Sequence, residues 1–136
     1  MTTARDIMST DVQVAQLDDT LVDVARRMRD RDIGAVPILG RNEDLSGIIT
    51  DRDVVRCIAE GHDPKLITAA HFATERPITV NTDADIEEVQ MLMGQHQIRR
   101  IPVISNGRLV GVISQGDLVR HDPRDGGETI RDISQP

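Results

Sequence analysis

The chain has 136 residues, 38% of them hydrophobic and 29% charged, with a formal net charge of −7. That length allows one ordinary domain or two small modules, and the apolar fraction excludes a wholly disordered chain. No apolar run approaches the ~20 residues of a membrane span, and Met1-Thr2-Thr3-Ala4-Arg5-Asp6 lacks the apolar core of a signal peptide, so a soluble cytoplasmic protein is expected.

In chain order, Asp18-Asp19-Thr20 supplies capping oxygens, and Leu21, Val24, Ala25 and Met28 follow at helical spacing. Two apolar runs come next, Ala35 to Leu39 and Leu45 to Ile49, around a polar turn. A short helix is predicted from Asp51 to Glu60, closed by Gly61. The same order then recurs. Asp85, Ile86, Val89 and Met93 predict a helix, and Arg100 to Ile104 and Leu109 to Ile113 predict strands joined by Ser105-Asn106-Gly107. Asn-Gly is a strong hairpin signal. Gln115 to Arg120 closes the second copy as a helix.

This is a true repeat. Leu21 falls on Ile86, Met28 on Met93, Ile33 on Ile98, Val36 on Ile101 and Pro37 on Pro102. After a one-residue change in a loop, Gly47 falls on Gly111, Thr50 on Ser114, Asp53 on Asp117 and Arg56 on Arg120. The starts match too, Thr3-Ala4 on Thr68-Ala69 and Ile7 on Phe72. Each copy reads as strand, helix, strand, strand, helix. The expected organisation is repeat 1 at 1–64, repeat 2 at 65–121 and a polar, Gly-rich tail at 122–136, flexible or docked, in which Thr129 to Ile133 echoes Thr3 to Ile7. A unit of some 60 residues has an apolar sheet face to hide, so two copies are expected to pack as one α/β (α+β) domain with pseudo-twofold symmetry.

The 23 acidic residues against 16 basic ones argue against nucleic acid, which needs a basic face. One Phe and no Trp or Tyr leave no stacking platform. Lys65 is the only lysine, and arginine suits bidentate contact with phosphate or carboxylate, although codon bias gives the same skew. The single Cys57 excludes an internal disulfide and reads as a packed core thiol. His62, His71, His96 and His121 show no i, i+4 pairing, so no metal is expected unless they meet across a dimer. Neither a nucleophile elbow, a phosphate-binding lysine loop nor a zinc-protease motif occurs, and no catalytic residue is assigned.

Thr50-x-x-Asp53 and Ser114-x-x-Asp117 have a plain structural reading as capping boxes at helix starts. Anion binding at the same place is compatible with it. Arg99 and Arg100 precede the second proline where Gly34 and Ala35 precede the first, and they offer charge-assisted donors to a phosphate or simply a solvated strand edge.

The double occurrence of Ile33 to Ile38 with Leu45 to Asp53, and of Ile98 to Val103 with Leu109 to Asp117, resembles a tandem pair of cystathionine-β-synthase (CBS) domains over roughly residues 4 to 121. The resemblance implies a free-standing regulatory module that binds an adenosine-containing ligand, AMP, ADP, ATP or S-adenosylmethionine, in a cleft between the repeats and signals by a change of shape, with no required cofactor. It further implies that Asp53 or Asp117 accepts from the ribose hydroxyls and that Thr50 or Ser114 lies near ribose or phosphate. Gly111 belongs to the same motif. Ile33, Val36, Ile98 and Ile101, before Pro37 and Pro102, would face the adenine. Gly116 in place of Arg52 makes the second copy the better candidate. A homodimer and a protein that reads its shape are the implied partners. The competing expectation is a stress or interaction protein that binds no nucleotide and acts through a contact surface.

Overall fold

The computed structural model describes residues 1–121, so the tail at 122–136 lies outside the described residues. The chain divides into two compact units, Gln13–Pro77 and Met1–Val12 together with the chain from Ile78 onward.

In the first unit, β1 (Ala15–Gln16), β2 (Ala35–Leu39), β3 (Leu45–Thr50) and β4 (Thr74–Glu75) form a sheet in that order. β1 runs parallel to β2, and the remaining pairs are antiparallel. The crossover between β1 and β2 is α2 (Leu21–Arg31), whose Thr20 hydroxyl accepts from Asp23 N at 3.3 Å. Leu21, Val24 and Met28 fall on one face at the predicted spacing and are buried against Val36, Ile38 and Ile49. Asp32, in the left-handed region at φ 53°, ends the helix. α3 (Asp51–Ala59) adds Cys57 to this core, and α4 (Ala69–Phe72) adds Ala69 and Phe72.

The second unit repeats the plan with β5 (Val80–Asn81), α5 (Ile86–His96), β6 (Arg100–Ser105), β7 (Arg108–Ser114) and α6 (Gln115–His121). Asp85 caps α5 by accepting from Glu87 N at 3.0 Å. Asn106 and Gly107 take φ of 54° and 80°, the two consecutive left-handed positions that an Asn-Gly hairpin requires. The core comprises Val89 and Met93 of α5, Val80, Ile101, Val103 and Ile113 of the strands, Leu118 of α6, and Ala4.

Ala4 belongs to α1 (Ala4–Ile7), a turn at the far end of the chain. Ala4 N donates to Ala84 O at 2.8 Å, and Ser9 and Val112 exchange backbone bonds of 2.9 and 3.0 Å. In the first unit α4 takes the equivalent position, with Ala69 N donating to Asp19 O at 2.9 Å. The repeats have therefore exchanged their leading segments. Sequence likeness divides the chain near residue 64, whereas compactness divides it after Val12 and Pro77.

This exchange explains two glycines. A Cβ on Gly47 would lie 2.8 Å from Thr74 O, and one on Gly111 would lie 2.7 Å from Met8 Sδ and 2.9 Å from Ser9 O. The exchanged segment thus crosses each third strand too closely for any side chain. Gly47→Ala and Gly111→Ala are each expected to cost about 1–3 kcal/mol through overpacking. Thermal unfolding followed by circular dichroism reads this as a lower Tm, and unchanged Tm values would contradict the packing role.

Candidate functional site

Each unit carries the same corner where its last strand meets its last helix. At the first, Thr50 N donates to Asp53 Oδ2 at 2.8 Å and Thr50 Oγ1 donates to the same oxygen at 3.0 Å. Asp53 N lies 3.4 Å from Thr50 Oγ1, which accepts from it. At the second, Ser114 N donates to Asp117 Oδ2 at 2.8 Å and Ser114 Oγ accepts from Asp117 N at 3.2 Å. Both motifs are therefore realised as reciprocal capping boxes.

A second partner completes each carboxylate. Arg56 Nη1 donates to Asp53 Oδ1 at 3.1 Å, and Arg120 Nη2 donates to Asp117 Oδ1. The aspartates are held in place, their side chains only 8% and 10% exposed, while the arginines reach in from solvent at 55% and 72%. So Oδ2 is committed to the backbone and Oδ1 to a cation that water can replace. A Cβ at Gly116 would lie 3.2 Å from Arg120 Nη1, the end of a flexible and largely exposed side chain that can give way.

The box alone does not define a binding site. α1 carries one too, with Thr3 N donating to Asp6 Oδ2 at 2.8 Å. Those Thr3 hydrogen bonds, backbone first, hold the Asp6 carboxyl below the usual carboxylate range. Yet Asp6 is exposed and no ion pair is seen on it among the described residues. Burial and the arginine three residues on distinguish Asp53 and Asp117.

Backbone bonds place the segment before each proline beside its corner. Gly34 O accepts from Asp51 N at 2.9 Å, and Arg99 O accepts from Gln115 N at 3.0 Å. Arg99 is exposed and Arg100 half-buried, while Ile33 and Ile98 are half-buried at the margin of each core. Val36, Ile101 and Pro102 sit elsewhere, fully buried in the cores. Their side chains pack inside the units. Gly111 is covered by Met8 and Ser9, so its small size serves packing.

The repeat aligned Arg56 with Arg120, but sequence reasoning assigned them no role. The recurrent Asp-x-x-Arg was the available signal. Burial raises the pKa of the Cys57 thiol, helped by the charges of Glu60 and Asp63. A cavity of about 290 Å³ in the first unit is lined by Leu17, Ile38, Ser46, Gly47, Ala73 and Arg76, and includes neither Thr50 nor Asp53. Among the described residues no helix is long and apolar enough to cross a membrane, and no three of His, Cys, Asp and Glu are grouped to hold a metal ion.

The CBS domain model matches residues 4–60 and 69–124, and the chain belongs to the CBS-domain family, carrying two such domains. It is 45% identical over 124 residues to Hypoxic response protein 1 of Mycobacterium tuberculosis, covering 90% of this chain and 87% of that protein. It is 37% identical over 141 residues to the uncharacterized protein YlbB of Bacillus subtilis, covering 99% and 93%. The crystal structure of Hypoxic Response Protein I with two coordinated zinc ions superposes with a TM-score of 0.81, covering 88% of this chain and 98% of that one. The CBS domain pair of protein MJ0100, solved with 5'-methylthioadenosine and S-adenosyl-L-methionine, is 25% identical with a TM-score of 0.81, covering 91% and 98%.

If the boxes cap their helices, Asp117→Ala and Asp53→Ala should each lose about 0.5–2 kcal/mol of stability without ligand. Denaturant titration measures it. A loss at neither position would show that the boxes carry no load.

Proposed function

We propose that this chain is a regulatory module that senses an adenosine-containing nucleotide at its Thr50–Asp53 and Ser114–Asp117 corners. The observation that carries this reading is the divided carboxylate. In both repeats one oxygen is fixed by the backbone while the other is held only by a largely exposed arginine. A vicinal diol presents two donors, and Oδ1 can accept them once Arg56 or Arg120 swings into solvent. The MJ0100 pair, whose two bound molecules share an adenosine group, supports the ligand class. Arg99 and Arg100 supply cationic donors for a phosphate beside the second corner only, which favours that copy.

The arginine is then a competitor of the ligand. A partly exposed i, i+3 ion pair is worth about 0.2–1 kcal/mol. Removing it should tighten binding by up to about fivefold, since 1.4 kcal/mol corresponds to a factor of ten. Binding signals by population shift, and only a difference in affinity between two arrangements of the chain does so. A protein partner would read that shift.

AMP, ADP, ATP and S-adenosylmethionine are the ligands to test, by dye-based thermal shift and then calorimetry. A ligand at about 100 times its Kd adds ~2.7 kcal/mol, or several degrees for a chain of this length. The expected pattern is a shift with at least one of them, lost in Asp117→Ala and enhanced in Arg120→Met. No shift with any of the four would leave the corners as helix caps and favour the contact-surface alternative.

A homodimer is proposed on a separate observation. Val55 and Ile58 of α3 stand 64% and 61% exposed, one helical turn apart. Sedimentation should give twice the chain mass, and Ile58→Asp should halve it; a wild-type monomer would end the idea.

A further inference from the structure

The two corners differ in what holds their arginines. Arg56 Nη1 pairs with Asp53 Oδ1 at 3.1 Å, and its guanidinium carbon also stands 5.7 Å from the centroid of the Phe72 ring. That is within the ~6 Å reach of a cation–π contact, and a planar guanidinium can serve a carboxylate and an aromatic face at once. Phe72 is the only Phe in a chain without Trp or Tyr. Its ring is itself held in place. It is only 7% exposed, packs in the core of the first unit, and is flanked by His62 at 5.4 Å and His71 at 5.3 Å.

The second corner is built differently. The repeat puts Ile7 where the first unit has Phe72, and α1, which carries Ile7, packs against α6, which carries Arg120. An aliphatic side chain offers a cation no π face. Arg120 keeps Asp117 as its ion-pair partner, and its side chain is the more exposed of the two arginines. The asymmetry follows from the exchange of segments. Phe72 belongs to the second repeat in sequence, yet α4 closes the first unit and brings its ring to α3.

We propose that Phe72 latches the first corner: by stacking on Arg56 it keeps the guanidinium on Asp53 Oδ1, so that a vicinal diol fills the Asp117 corner before the Asp53 corner. This rests on the nucleotide reading given above. The chemistry is competition for one oxygen. At Asp117 the diol displaces an ion pair. At Asp53 it has to break an ion pair and a stack together, and the stack lowers affinity by about two- to fivefold. Phe72 touches no ligand in this scheme. It is a positioning residue that acts through Arg56. Two corners of unequal affinity respond over a wider span of ligand concentration than two equal ones.

Adenosine is the probe, because it carries the diol without a phosphate for Arg99 or Arg100 to hold. In the full chain, Asp117→Ala isolates the first corner and Asp53→Ala the second, each titrated by NMR. Arg56→Met should tighten the first corner about two- to fivefold more than Arg120→Met tightens the second. Phe72→Ile, which copies Ile7, should tighten the first corner by about two- to fivefold and add nothing once Arg56→Met is present, a dependence that a merely structural role would not produce. If Phe72→Ile does not fold, the two methionine variants, both at exposed side chains, decide the matter. Without ligand, the Arg56 Nε–Hε signal should be ordered and shifted by the ring, and that of Arg120 mobile. Equal gains from the two methionine variants, or equally mobile guanidinium groups, would overturn the latch. An ordered Arg56 with adenosine bound at neither corner would overturn the nucleotide reading, and the filling order with it.

Discussion

The fold depends on the exchange of leading segments between the repeats. A unit of sixty residues buries too little surface to be comfortable alone. Here each three-element sheet core is closed by a short turn that comes from the other repeat's stretch of sequence: α1 on one side, α4 on the other. The closure is tight because it is made backbone to backbone. Ser9 pairs with Val112 and β4 pairs with β3, each crossing at a glycine. The Gly-x-x-Thr/Ser-x-x-Asp motif thus serves two ends within seven residues. Its glycine admits the exchanged segment, and its hydroxyl and carboxylate shape the helix start.

The helix start is where stability and recognition use the same atoms. A capping box satisfies backbone donors that would otherwise lack partners. At α1 this is the whole of its work, since the Asp6 carboxylate faces water. At α3 and α6 the carboxylate is sheltered and a guanidinium covers its second oxygen. Breaking that ion pair costs at most about 1 kcal/mol, while a micromolar ligand offers about 8. The arginine can tune affinity only modestly. Selection among nucleotides has to come from groups that touch base and phosphate, and Arg99 and Arg100 are the cationic candidates beside the second corner.

Much of this was legible because it is local or periodic. Leu21, Val24 and Met28 announce their helix by spacing, Asn106-Gly107 announces its turn by chemistry, and Thr50 to Asp53 announces its cap by both. The duplication made each inference twice. What was not legible is non-local. Nothing in Thr3-Ala4 says which repeat it will close, although its likeness to Thr68-Ala69 says that both do the same job. The resemblance implied that Val36 and Ile101 face an adenine. Each lies in a run of three consecutive buried strand residues, Val36 to Ile38 and Ile101 to Val103, and is fully buried. Arg56 and Arg120 were visible as an Asp-x-x-Arg recurrence, but only the helix geometry shows that they close on the carboxylate.

The histidines show the same limit from the other side. Spacing at i, i+4 pairs none of them, because that rule assumes both residues share one helix. His62 and His71 meet through a turn and a separate short helix, both packed on Phe72. Their meeting depends on the exchanged segment, since α4 is the element that closes the first unit. The strand-helix corner at Asp53 stands at the other end of α3 from His62, and Arg56 touches both clusters, paired with Asp53 and stacked on Phe72.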